Sequence, residues 1–274
     1  MASNDLGYLP FDCDNHYYEA LDAFTRHLDP KLGARCVQWA QIDGRQYQVV
    51  GGRVSRVVTN PTFDPIAPAG AMHEYFRGNP EGKNPLEFLT KREPIRPEYR
   101  DRDERLRVMD AQGISRIWLF PTLGMLYEEL LKHDPEAVCL TFRAFNRWLA
   151  EDWGFAYRDR IFAGPYISLA DVEWAVDELQ WAVDAGARVV VMRPAAVHTN
   201  QGIRNPFDDH FDRFWAAAAE AGITVVIHAG DSGYSSNGYA NDSFSAQFTS
   251  GGWKPTIKSF AIERAAQDFI LTSV

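Results

Sequence analysis

From Asp101 onward the chain alternates short, almost uninterrupted apolar runs with longer amphipathic ones, and no other feature restricts its fold so strongly. Near-continuous Val/Ile runs at residues 114–120, 161–167, 188–192 and 223–228 read as strands buried on both faces. Such strands belong to parallel sheets covered by helices. The intervening segments carry helical signals. Asp134 is a candidate N-cap with Pro135 in the first turn, opening a helix to about Trp153. Val172, Ala175, Val176, Leu179 and Val183 form a stripe with a 3.6-residue period. Gly113, Gly186 and Gly222 each stop a helix just before a strand. A last helix is expected over residues 255–272.

One further strand, residues 11–16, precedes this region. In an ideal strand Asp12, Asp14 and His16 share one face while Phe11 and Cys13 share the other. Residues 17–100 are irregular and rich in Pro and Gly, and read as one long insertion. It contains an expected hairpin in which residues 46–50 and 54–58 flank Gly51-Gly52-Arg53. The total is five strands with helices between and after them, an α/β pattern that both a (β/α)₈ barrel and an open doubly wound sheet satisfy.

Composition narrows the function. With 28 Lys+Arg against 37 Asp+Glu the net charge is −9, which repels phosphate backbones, so no nucleic-acid partner is expected. Cys13, Cys36 and Cys139 are odd in number and lack a CxxC spacing, which points to reduced thiols. No apolar run reaches the roughly 18 to 20 residues of a membrane span, and Met1-Ala2-Ser3-Asn4-Asp5 lacks the basic-then-apolar order of a secretion signal. The expected location is the cytoplasm, without a membrane partner. No Walker loop is present and no GxGxxG follows a strand, so nucleotide-phosphate binding has no support.

Chemistry-bearing residues gather at strand ends. His228 closes Thr224-Val225-Val226-Ile227, and the carboxyl end of a buried parallel strand is where sites are built in both architectures. A hydrogen-bonded structural histidine is the plain alternative. Asp14-Asn15-His16 also ends a strand, and its i, i+2 spacing turns two potential ligands toward one cation; as turn residues they would need no metal. Arg193, after Val189-Val190-Val191-Met192, either holds an anionic substrate group or pairs with a neighbouring acid. His27, His73, His133, His198 and His210 read as solvated, with His73 and His198 within reach of a barrel mouth. Phe142, Phe145, Trp148 and Leu149 have helical spacing and read as core. Residues 92–107, dense in both signs of charge, read as a solvated surface with a helix start. Residues 232–252, rich in Ser, Gly and Asn, read as a lid or a long connection.

Three segments together resemble the amidohydrolase-related metal enzymes of the decarboxylase-like branch. They are Phe11-Asp12-Cys13-Asp14-Asn15-His16 with Glu19; Met109-Asp110-Ala111-Gln112-Gly113-Ile114 leading to Leu119-Phe120-Pro121-Thr122; and residues 207–215 followed by 223–231. That branch includes the aminocarboxymuconate-semialdehyde and resorcylate decarboxylases and many bacterial hydrolases. The resemblance implies a TIM-barrel-like fold and a divalent metal, Zn²⁺ first with Mn²⁺ or Fe²⁺ as alternatives, held by Asp14, His16 and His228. Two imidazole nitrogens and a carboxylate leave open coordination positions, where bound water falls to a pKa near ~7 or a substrate oxygen is polarised. The implied activity is hydrolysis or non-oxidative decarboxylation of a small carboxylate-bearing or aromatic substrate. His228 and Asp231 would serve the chemistry, with Asp231 orienting a ligand or water, and Arg193 would bind the substrate.

The resemblance also implies an Asp ending an eighth strand and often a His from a sixth, and neither is located in this sequence. Residues 114–274 hold four strand-helix units, so three more would take roughly 120 residues. The expectation is a single domain over residues 1–274: an incomplete barrel of about five of the eight βα units, with a long insertion after the first strand. A truncated version of a longer enzyme, an open sheet complete as it stands, and a barrel completed by another chain all stay open, as does a homo-oligomer. The rival functional readings are a non-catalytic fragment or assembly subunit that keeps the fold, and a metal-independent binding protein.

Overall fold

The computed structural model describes residues 7–56, 58, 60–230, 267 and 269–273. β1 (Phe11–His16) is followed by a small antiparallel sheet of β2 (Val37–Ile42), β3 (Arg45–Val50) and β4 (Arg53–Val54), then by two single-turn helices, α1 (His73–Phe76) and α2 (Pro85–Phe88). The regular part comprises α3 (Arg102–Gln112), β5 (Arg116–Phe120), α4 (Gly124–Leu131), α5 (Pro135–Asp152), β6 (Ile161–Ala163), α6 (Val172–Asp184) and β7 (Val189–Met192). A short hairpin of β8 (Val197–Thr199) and β9 (Gly202–Arg204), then α7 (Asp212–Ala221) and β10 (Thr224–Ile227), complete the described elements.

The five segments with strand periodicity form one parallel series. β1 pairs with β5, β5 with β6, and β7 with β10, all parallel. The two groups meet just past β6, where Tyr166 bridges Val191 in parallel. There the Ile167 N–H donates to the Val191 carbonyl at 2.9 Å, and the Val191 N–H donates to the Pro165 carbonyl at 3.0 Å. The order is therefore β1-β5-β6-β7-β10. β6 stops at Ala163, short of the expected residue 167, because Pro165 has no N–H for the ladder. Pairing passes from β5 to β7 across Gly164-Pro165.

Local signals place the helices. Asp101, Asp134 and Asp171 accept hydrogen bonds from the N–H groups of Glu104, Ala137 and Trp174 at 2.8, 3.1 and 2.9 Å, satisfying donors that each first turn leaves open. Gly113 and Gly222 end α3 and α7 at φ 72° and 62°, the left-handed geometry that a side chain resists. Phe142, Phe145, Trp148 and Leu149 are buried, as their spacing predicts, and join Ile117, Leu119, Ile161 and Ala163 in one core. Truncating one of these aromatics to Ala would cost about 3–5 kcal/mol.

The insertion differs from its expected form. Its main hairpin is β2–β3, closed by Asp43-Gly44 with φ 50° and 75°; both residues at positive φ give the two-residue turn that matches strand twist. The expected pairing of residues 46–50 with 54–58 shrinks to Val49↔Val54 and Val50↔Arg53. The loop over residues 232–252 and the expected last helix through residue 266 lie outside the described residues. Among the described residues, no helix is long and apolar enough to cross a membrane. All three cysteines are unpaired.

Candidate metal centre

The site begins with an irregularity in β1. Phe11 and Asp12 pair with Arg116 and Ile117, whereas Asn15 and His16 pair with Leu119 and Phe120, so β1 uses one more residue than β5 over the same span. This bulge corrects the simple alternation expected from the sequence, because it switches which residues share a face. Phe11 packs its ring on Trp118 and Phe162, with centroids 5.6 and 6.4 Å apart, and His16 stands over Phe120 on the same side at 6.4 Å. Asp12 does not join Asp14 and His16. Its carboxylate closes the bulge, accepting the Asp14 N–H at 3.1 Å and an Asn15 Nδ2–H at 2.7 Å.

Past β10, the His228 N–H donates to the Met192 carbonyl at 2.9 Å, which keeps the strand register for one more residue. Gly230 follows where a Cβ would lie 2.5 Å from the Met125 carbonyl oxygen, so only glycine fits the close approach. His228 Nε2 is thereby set 3.2 Å from Asp14 Oδ1, and His16 Nε2 lies 3.5 Å from the same oxygen. The two imidazoles meet edge to face with centroids 4.9 Å apart, and Phe120 lies 5.3 Å from the His228 ring. The donor atoms of Asp14, His16 and His228 all fall within 4.8 Å of one another.

Proton positions explain what this arrangement can hold. His16 Nδ1 contacts the Pro121 carbonyl at 3.2 Å and His228 Nδ1 contacts the Ala229 carbonyl at 2.6 Å. A carbonyl only accepts, so Nδ1 carries the proton in each ring, and in the neutral imidazole Nε2 holds the lone pair. Burial, and next the neighbouring His228, push the pKa of His16 below its ordinary value, which favours that neutral form. His16 Nε2 and Asp14 Oδ1 then face each other as two acceptors. A cation satisfies such a pair, and imidazoles fixed through Nδ1 by backbone carbonyls are the usual support of a metal site. The donor set therefore fits a divalent metal.

The neighbouring backbone is itself held. Glu19 is buried and its Oε1 accepts the N–H groups of Thr122, Leu123 and Gly124 at 2.9, 2.7 and 3.1 Å, fixing the start of α4 directly after Pro121. Desolvation raises the Glu19 pKa to about 7, against the pull of those hydrogen bonds. Arg105 is also buried, correcting the expectation that residues 92–107 form a solvated surface. The available signal was helical spacing: Arg105 lies four residues before the buried Met109 and next to the buried Leu106, on the inward face of α3.

The other predicted site residues are placed differently. Arg193 is 5% exposed, with Nη1 2.6 Å from Glu129 Oε2 and Nε 3.5 Å from Glu128 Oε1. Of its two sequence readings, the contacts show the pairing with neighbouring acids. Glu128 also accepts the hydroxyls of Tyr166 and Ser168 at 2.6 and 2.9 Å, so α4 is tied to the ends of two strands. Asp231 lies outside the described residues. His73 and His198 stand apart from the three-residue cluster.

A parallel strand-helix series with a potential metal cluster at the carboxyl ends of its first and last described strands is the layout of a TIM-barrel-like metal site. The chain belongs to the amidohydrolase family, whose sequence profile, described as amidohydrolase, matches residues 11–270. It is also similar to the crystal structure of an amidohydrolase from Mycobacterium avium subsp. paratuberculosis K-10, with a TM-score of 0.81 and 46% sequence identity over 85% of this chain. The match covers 61% of that protein, so this chain spans about three-fifths of its length. A search of curated proteins gives no match.

Proposed function

We infer that the chain carries the metal centre of an amidohydrolase-family enzyme that hydrolyses or non-oxidatively decarboxylates a small carboxylate-bearing or aromatic molecule. The observation that carries this reading is the opposition of His16 Nε2 and Asp14 Oδ1 at 3.5 Å, with His16 Nδ1 committed to the Pro121 carbonyl. Asp14, His16 and His228 would hold the ion, Zn²⁺ by donor type with Mn²⁺ or Fe²⁺ as alternatives. When bound, it supplies a Lewis acid that polarises a substrate oxygen and acidifies water.

The chain's own residues set the remaining conditions. The two carbonyl contacts fix both ring orientations. The Asp14 side chain is 75% exposed and leaves the cluster open to an incoming molecule. Phe120, itself buried, packs beside both imidazoles and backs their ring planes. The unpaired cysteines suit a reducing cytoplasm.

The test is to load the purified chain with Zn²⁺ or Mn²⁺ and assay hydroxybenzoates for CO₂ release and aryl esters and lactones for acid release, beside His16→Ala. Turnover in one panel, lost in the variant, identifies the reaction. Metal uptake without turnover in either panel favours the non-catalytic reading instead.

A further inference from the structure

We propose that Arg105 and Asn15 are positioning residues for the metal centre, acting by locking the β1 bulge that turns His16 to the Phe120 side, where His228 stands. The inference rests on the metal reading above. Arg105 buries a full positive charge without a carboxylate within salt-bridge distance among the described residues. Its donors go instead to two backbone carbonyls and one amide: Nε to the Glu98 carbonyl at 2.7 Å, Nη2 to the His16 carbonyl at 2.9 Å, and Nη1 to Asn15 Oδ1. The guanidinium also faces the rings of Tyr99 and Trp153 at 5.6 and 5.8 Å.

Burying a charge against neutral acceptors is expensive, and it is met where those acceptors must not move. Two of the three here are the residue between the two candidate ligands and the carbonyl of one ligand itself. Asn15 passes the constraint on, since its Nδ2 donates to Asp12 Oδ2 while Asp12 Oδ1 accepts the Asp14 N–H. The chain Arg105–Asn15–Asp12 therefore grips both sides of the extra residue. Without it β1 can relax to simple alternation, in which pairing with β5 shifts by one residue and His16 turns away from Phe120 and His228.

Co²⁺ alone is the probe, because its visible absorption reports coordination geometry. Wild type, Asn15→Ala and Asn15→Asp are titrated with Co²⁺ and compared by circular dichroism. Asn15→Asp keeps the acceptor for Arg105 and so guards against a folding failure in Asn15→Ala, but it loses the donor to Asp12. The expected result is a 10- to 100-fold weaker Co²⁺ affinity and an altered visible spectrum in both variants, with native far-ultraviolet dichroism in at least Asn15→Asp. Variants that bind Co²⁺ with wild-type affinity and spectrum overturn the positioning role while leaving the metal reading intact. A folded wild-type chain that takes up no Co²⁺ overturns both.

Discussion

Asp14 Oδ1 and His228 Nε2 lie 3.2 Å apart although 214 residues separate them in sequence. The contact joins the carboxyl end of β1 to that of β10, the two ends of the parallel series, so the series must curl for the pair to form. Each histidine is aimed from behind by a backbone carbonyl, and the bulge in β1 sets His16 on the Phe120 side beside His228. The candidate centre is thus a property of the strand ends, which is where parallel α/β folds expose chemistry.

Arg193 separates structural from substrate-binding roles. Replacing it with Leu would remove the buried counter-charge of Glu128, 6% exposed, and leave Glu129 with Lys132 at 2.5 Å. A loss of about 3–5 kcal/mol in urea-unfolding stability is expected. A stable Arg193→Leu variant with a raised KM would instead support the substrate-binding role.

The Glu19 carboxyl makes stability depend on pH in a definite direction. Its folded pKa of about 7 lies above the ordinary 4.5, so the folded state holds this proton more tightly than the unfolded chain. Its contribution is therefore full below about pH 4.5 and is lost as pH rises to about 7, with a slope of at most about 1.4 kcal/mol per pH unit. Glu19→Gln, which imitates the neutral form, should flatten that part of the profile. Parallel stability profiles for wild type and variant across pH 5 to 8 would refute the assignment.

Asp134 links the insertion to the core. It caps α5 through the Ala137 N–H at 3.1 Å and meets Arg35 Nη2 at 2.7 Å, and Arg35 lowers its pKa. Asp134→Ala should cost about 1 kcal/mol, mostly from the lost cap because exposed ion pairs add little. A depressed folded pKa means that this contribution is present at neutral pH and disappears as pH falls through the folded value. The difference in urea midpoint between wild type and Asp134→Ala, measured at pH 7 and again near pH 3, should therefore shrink at the lower pH.

Much of this was legible in the sequence because the relevant signals are local. Val/Ile runs announced four of the five parallel segments, Asp134-Pro135 and Gly222 marked helix ends, and His228 stood at a strand end. The bulge was not legible, since an extra residue in β1 is defined only by its partner β5. Arg105 was concealed for a similar reason: its charge-dense surroundings read as surface, and two of its three acceptors lie 89 and 90 residues away. The β2–β3 hairpin did carry a local signal in Asp43-Gly44, but the neighbouring Gly51-Gly52 competed with it for the same strand.

The most direct test is elemental analysis by inductively coupled plasma mass spectrometry of the purified chain beside His228→Ala, with circular dichroism confirming that both are folded. About one divalent ion per wild-type chain, lost in the variant, is the expected result for a three-residue centre. Equal metal contents in the two folded proteins, or none in the wild type, would contradict it.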